Sequence, residues 1–371
     1  MSEIPYLQVA GHEQVKRSLA DARRNGRLPQ TLLLFGPRGV GKQRLALWLA
    51  ALVQCERGDA EPCGACRSCR LAGRLLHPDI HWFFPTRRPR GATGDKARDK
   101  MEEARAAELE ARRADPRYTR SADGPTGIYV AAAQNLRELA GARPAMARRS
   151  VTIVGDAEAL VPQEGNPEAA NALLKLLEEP PTAALIVLTT SAPGALLPTI
   201  RSRCLGLRVP PLPRETVARH LLEIGHDPEA AQTLARRADG SIGRALELVS
   251  EDADRLRQDA DEILRAALAP SPTHRIETAH HFTPFGARGG FVQVLDELQA
   301  RVRERLAGSD DAAAAGLAAA ILAVDDARGM AERNVNPQFI VAGLLRRLNI
   351  LLSSAAGPAP GPRRARTEDR P

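Results

Sequence analysis

Residues 31–53 read TLLLFGPRGVGKQRLALWLAALV. The first five form a continuous apolar run, as a strand buried on both faces of a parallel sheet requires. From position 43 onward apolar residues return at helical spacing. Between the two, Gly36, Pro37, Arg38, Gly39, Val40, Gly41 and Lys42 fit GxxxxGK in the strand–turn–helix setting that gives this pattern its meaning. Glycines let backbone N–H groups turn inward around phosphate at the positive end of the helix. Lys42 would reach the β- and γ-phosphates as a point charge. This stretch predicts a parallel α/β sheet with a phosphate-binding loop at its edge.

Outward from it, IHWFF (80–84), SVTIVG (150–155) and ALIVLTT (184–190) read as further strands, and LLPTIRSRCLGLRV (196–209) leads into a last one. Helical patterns lie between them: one stops at Gly26, and NPEAANALLKLLEEP (166–180) ends before a proline pair. Strand and helix alternate, as in a doubly wound parallel sheet, here assigned to residues 1–209. Three short helices at 213–224, 227–238 and 241–250 suit a small lid over 210–250. Longer helical patterns fill 251–354. The tail 355–371 is proline-rich and reads as disordered. Residues 86–127 are rich in Arg, Asp, Glu and Gly; their middle, KARDKMEEARAAELEARR (96–113), could form a charged helix but has no continuous apolar stripe, and the segment reads as an exposed, partly disordered insertion.

Composition narrows the class. Of 371 residues, 43% are hydrophobic and only 3% aromatic, so the core falls to Leu, Val, Ile and Ala. The net charge of +7 comes from 52 basic and 45 acidic residues, and only five of the basic ones are lysines. That excess permits nucleic-acid contact without specifying it. No run approaches the roughly 20 apolar residues of a membrane span, and the first residues lack a signal-peptide core. A cytoplasmic protein with no membrane partner is expected.

Two positions depart from a hydrolytic P-loop site. Gln43 stands where a Ser or Thr hydroxyl normally holds Mg²⁺. The strand 151–155 delivers Asp156 to the metal position, but Ala157 follows where an acidic residue usually polarises water, and Glu158 comes one position late. Cys55, Cys63, Cys66 and Cys69 give four thiolates at spacings suited to tetrahedral, structural Zn²⁺. His77 is not needed as a further ligand, and Cys204 reads as a partly buried structural thiol.

The P-loop, the four-cysteine module at 55–69, HPD (77–79), NALLKLLEEPP (171–181) and LLPTIRSRC (196–204) together resemble the clamp-loader family of bacterial DNA polymerase III, an AAA+ family. The resemblance covers roughly residues 9–250, and NVNPQ (334–338) extends it. The run before Cys204 is more similar to delta-prime than to gamma/tau subunits. The resemblance implies an AAA+ P-loop parallel-sheet domain with an inserted zinc module, a three-helix lid and an all-α collar domain in a hetero-pentameric ring. It implies gamma/tau and delta subunits as partners, with the sliding clamp and primed DNA reached through the complex of the polymerase holoenzyme, a nucleotidyltransferase. Arg203 is then an arginine finger acting in trans on a neighbour's ATP. Gly36, Pro37, Gly39, Gly41, Lys42, Gln43, Asp156 and Thr190 form the nucleotide site, with Thr189 the alternative to Thr190 beside the γ-phosphate. In the second sensor region Gly243 stands where motor subunits carry arginine, and Arg244 projects about 100° away. Gln43, Ala157 and Gly243 together imply a largely non-hydrolysing subunit with ATP and Mg²⁺ at a degenerate site. A gamma/tau-like motor is the alternative, and a zinc-bearing AAA+ repair ATPase a more distant one.

Overall fold

The structure is a computed structural model describing residues 5–57, 60–91, 94–116, 126–160, 168–249, 253–282, 290–309, 311–332 and 335–353. The tail 355–371 lies outside them. The chain divides into two compact units, one holding the described residues up to 249 and the other those from 253.

The first unit begins with α1 (Glu13–Arg24), β1 (Thr31–Phe35), α2 (Lys42–Gln54), α3 (Arg67–Gly73) and β2 (Ile80–Phe83). A short antiparallel pair, β3 (Thr86–Arg87) with β4 (Thr126–Gly127), brackets α4 (Ala97–Ala114). Then come α5 (Val130–Gly141), β5 (Ser150–Val154), α6 (Glu168–Glu178), β6 (Ala184–Thr190), α7 (Pro198–Arg201) and β7 (Leu205–Arg208). The unit closes with α8 (Arg214–Glu223), α9 (Pro228–Arg237) and α10 (Ile242–Glu247).

Five parallel strands form the sheet in the order β2-β5-β6-β1-β7. Side chains alternate across it: Leu32, Leu34, Val151, Ile153, Leu185 and Val187 pack with α1 and α2, while Leu33, Val154, Ile186 and Leu188 pack with α5 and α6. Every residue of β5 and β6 is buried, and apart from Ser150, Thr152, Thr189 and Thr190 both strands are apolar. Because Phe35 pairs with Thr190 and Val154 with Leu188, all carboxyl ends open on one edge. The approach to β5 is pinned from below, where the Asp79 carboxylate accepts the amides of Ala145, Met146 and Ala147 at 2.5, 3.0 and 2.8 Å. Burial opposes ionisation of Asp79, yet these amides outweigh it and hold the carboxyl below its ordinary value.

Within the segment 86–127, the charged stretch 97–114 is an 18-residue helix, and it is packed rather than wholly exposed. Its packing face is Met101, Arg105, Leu109 and Arg112, one helical stripe in which two arginines stand where leucines would signal burial. The Arg105 guanidinium lies 4.7 Å above the Phe83 ring, and that of Arg112 lies 4.7 and 4.4 Å from Trp82 and Phe84. Residues 117–125 of that segment lie outside the described ones.

The lid helices carry local start signals. Asp227 caps α9 by accepting from the Glu229 and Ala230 amides, with Pro228 at its first position, and Ser241 caps α10 through the Arg244 amide. The second unit is all-helical: α11 (Ala253–Leu268), α12 (Pro272–His281), α13 (Gly290–Ala307), α14 (Asp311–Glu332) and α15 (Pro337–Ser353). Ile263, Leu295, Leu298, Val324, Val341, Leu345 and Leu348 lie in its core.

Candidate functional site

The loop after β1 turns tightly enough to exclude side chains. A Cβ on Gly36 would fall 2.1 Å from the Val209 carbonyl oxygen, and Gly39, at φ +73°, would place one 2.3 Å from Ser241 Oγ. Pro37 and Gly41 complete the loop, with Gly41 directly before α2. Lys42 is buried, and its ammonium donates to the carbonyls of Gly36 and Pro37 at 3.0 and 2.7 Å and to Ser191 Oγ at 2.9 Å.

The helix α10 packs against this loop. The Gly243 amide donates to the Gly39 carbonyl at 2.9 Å, and Arg38 pairs with Glu247 at 2.9 Å. A Cβ on Gly243 would stand 2.8 Å from Gly39 Cα, so the position takes glycine for steric reasons. From the other side His12 Nε2–H donates to the Val40 carbonyl at 2.7 Å, with burial keeping the imidazole neutral. His12 carried no sequence signal, because a lone histidine before a helix belongs to no motif.

Asp156 follows β5 in a left-handed conformation at φ +49°. Its amide donates to Thr189 Oγ1 at 3.2 Å, and its Oδ2 accepts from the Gln43 amide at 2.9 Å. A Cβ on Gly155 would lie 2.7 Å from Gln43 Oε1, so Gln43 fills the space beside the carboxylate. Magnesium takes oxygen ligands. As arranged, the Gln43 amide that donates to Asp156 and the contact of α10 with Gly39 do not fit the oxygen set of a magnesium–nucleotide complex.

Thr190 is fully buried and its Oγ1 accepts the Ala192 amide at 3.1 Å. The turn at Asp156 and the 3₁₀ segment 157–160 bury Ala157 behind the sheet and return Glu158 to the edge. Glu158 Oε1 accepts from the Ser191 amide at 3.1 Å, while Oε2 has no hydrogen-bond partner among the described residues. Burial, reinforced by the Asp156 charge, raises the Glu158 carboxyl to about 7. One-residue slip along a strand argues against this placement, and only the positive φ at Asp156 reverses it.

Arg203 lies at the opposite edge. Thr31 Oγ1, at the start of β1, donates to the Arg203 carbonyl at 2.7 Å, and Leu205 pairs with Leu32 where β7 begins. The length of β1, roughly 3.3 Å per residue, separates this guanidinium from Lys42 and Asp156. It pairs with Glu178 at 2.7 Å.

Cys55, Cys63, Cys66 and Cys69 converge, with all four Sγ atoms within 4.8 Å of one another and Cys63 and Cys69 3.9 Å apart. These separations suit a single tetrahedral ion with metal–sulfur bonds of about 2.3 Å, and all four thiols are free of disulfides. The Cys66 amide donates to Cys63 Sγ at 3.4 Å, which favours the Cys63 thiolate, and the Cys69 amide donates to Cys66 Sγ at 3.3 Å. The site can hold a metal. His77 stands outside the group, its Nδ1 accepting the Asp79 amide. Cys204 is a half-buried thiol raised to about 11 by burial.

Among the described residues no helix is long and apolar enough to cross a membrane. A family model described as DNA polymerase III, delta subunit, matches residues 11–213. The chain is 31% identical to DNA polymerase III subunit tau of Salmonella typhimurium over 254 residues, 66% of this chain and 33% of that protein. It is 31% identical to subunit delta' of Pseudomonas aeruginosa over 250 residues, covering 65% and 63%, and 29% identical to subunit delta' of Bacillus subtilis over 239 residues, covering 64% and 59%. It thus spans about one third of the tau protein and under two thirds of the delta' proteins. A gamma subunit-related protein of Thermotoga maritima aligns over 90% of this chain and 98% of its own, at 16% identity and a TM-score of 0.40. With the family model covering more than half of its length, the chain belongs to the DNA polymerase III delta-subunit family, among the clamp-loader proteins.

Proposed function

We propose that this chain is a delta-prime-type subunit of the DNA polymerase III clamp loader, a ring member that hydrolyses little or no ATP itself and supplies Arg203 to the ATP of a neighbouring gamma/tau subunit. One observation carries the reading: Arg203 sits on the sheet edge opposite its own P-loop, which supports a role at a site on another molecule rather than its own. A planar cation aimed at developing γ-phosphate charge is worth roughly 10³–10⁵ in rate. The lid over Gly39 and the Gln43–Asp156 bond support an idle site in this chain. The four cysteines hold a structural Zn²⁺, since a closed four-sulfur set leaves no open position for catalysis. Partners are gamma/tau and delta in a hetero-pentamer, acting in the cytoplasm on the sliding clamp and primed DNA through the complex. The chain's role in the holoenzyme is loading rather than nucleotidyl transfer.

The alternative, a gamma/tau-like motor, is favoured by the complete GPRGVGK loop and by Glu158 beside Asp156. ATP turnover of the purified chain, and of a ring carrying Arg203→Ala, tests both. No turnover alone with slowed hydrolysis in the variant ring supports the proposal. Robust turnover alone, abolished by Lys42→Ala, makes the chain the motor.

A further inference from the structure

Arg203 is held by its own molecule. Nη2 pairs with Glu178 Oε1 at 2.7 Å, and Nη1 donates to the Thr199 carbonyl at 3.0 Å and to Ser202 Oγ at 3.4 Å. Both partners of the ion pair ride on rigid anchors. Glu178 is the last residue of α6, whose Leu173 and Leu177 are buried in the sheet core, and Pro180 and Pro181 stop the chain directly beyond it. Arg203 is fixed by its amide on the Ile200 carbonyl and its own carbonyl under Thr31. The guanidinium therefore meets a carboxylate by construction. Its exposure of 33%, against 45% for Glu178, leaves one flank open to solvent.

We propose that Glu178 is the intramolecular counter-ion of Arg203, an oxyanion that occupies the guanidinium until the γ-phosphate of a neighbouring molecule displaces it. The inference rests on Arg203 acting in trans. A carboxylate and a phosphate compete for the same planar fork of donors. The terminal phosphate carries the greater charge and wins when the neighbour is in register. When it is out of register, Glu178 retains the cation and the finger stays withdrawn. A half-exposed ion pair is a weak competitor, so Glu178 tunes the finger rather than blocking it. The fraction of fingers available rises a few-fold when the carboxylate is removed, at most about fivefold.

The test uses the complex assembled from this chain and its cognate ATPase subunits, with ATP turnover measured against ATP concentration at low and high salt. Four versions are compared: wild type, Glu178→Gln, Arg203→Ala and the double variant, with Glu179→Gln as a neighbouring control. Unchanged melting temperature and metal content confirm that Glu178→Gln folds normally. The expected result is a two- to fivefold rise in kcat/KM for Glu178→Gln that shrinks with salt. It comes with a double variant as slow as Arg203→Ala and a silent Glu179→Gln. If Arg203→Ala slows the ring while Glu178→Gln leaves it unchanged or slows it too, the counter-ion inference is overturned and the finger survives. If Arg203→Ala changes nothing, the trans reading fails and takes the inference with it.

Discussion

Replacing Glu158 by glutamine should stabilise the first unit in alkaline solution and do little in acid. The Glu158 carboxyl is raised from an ordinary 4.5 to about 7 by burial and by Asp156. A carboxyl whose folded value exceeds its unfolded one binds more protons folded than unfolded between those values, so stability falls as pH rises through that window. About 2.5 units at about 1.4 kcal/mol each puts the penalty near 3 kcal/mol above pH 7 and at about 1 kcal/mol or less at pH 5. Glutamine is isosteric, stays neutral, and keeps an oxygen for the Ser191 amide. Glu158→Gln should therefore raise the melting temperature at pH 8.5 by about 6–12 °C, at roughly 2–4 °C per kcal/mol for a unit of this size. At pH 5 the gain should be a small fraction of that. Scanning calorimetry of both proteins at both values gives the answer as a difference of differences, in which metal loss at low pH cancels. A gain equal at both values, or a loss at pH 8.5, would refute the argument that Glu158 is enclosed beside Asp156.

Gly243→Ala should lower stability by about 1–3 kcal/mol, because its Cβ meets Gly39 Cα at 2.8 Å and backbone cannot swing aside. Faster amide exchange at 240–247 would report the lid lifting from the loop, and unchanged exchange would contradict the contact. Cys69→Ser, at a fully buried member of the four-cysteine group, should abolish the metal content that the proposed zinc site predicts for the unaltered chain by elemental analysis, with a lower melting temperature. Cys204→Ser should leave the zinc content as it was.

Sequence pattern carried the sheet because parallel strands buried on both faces leave near-continuous apolar or β-branched runs, and TLLLF, SVTIV and ALIVLTT are such runs. The phosphate loop was legible through its glycines, whose conformational demand is local. The packed face of the helix at 97–114 was not, since its stripe uses Arg105 and Arg112 where hydropathy looks for leucine. The placement of Glu158 was not legible either, because it depends on a single positive φ at Asp156, a conformation aspartate tolerates without announcing it. The Gly243–Gly39 contact joins positions 204 apart in number, and the Glu178–Arg203 pair joins two rigid ends. Neither has a spacing to read.

The arginines of the aromatic cluster bear on how the protein meets polyanions. Arg44 lies 4.3 Å from the Tyr6 ring, with burial lowering its pKa, and the side chains of Arg105 and Arg112 are only 13% and 17% exposed. Their charge is spent on ring faces and on Glu102 and Glu108 rather than offered to the medium. A formal charge of +7 counts them at full weight. That net charge, which already subtracts Glu102 and Glu108, still sets the field a polyanion senses across a Debye length; what burial removes is these guanidiniums as direct donors to a phosphate, a role left to the solvated basic residues.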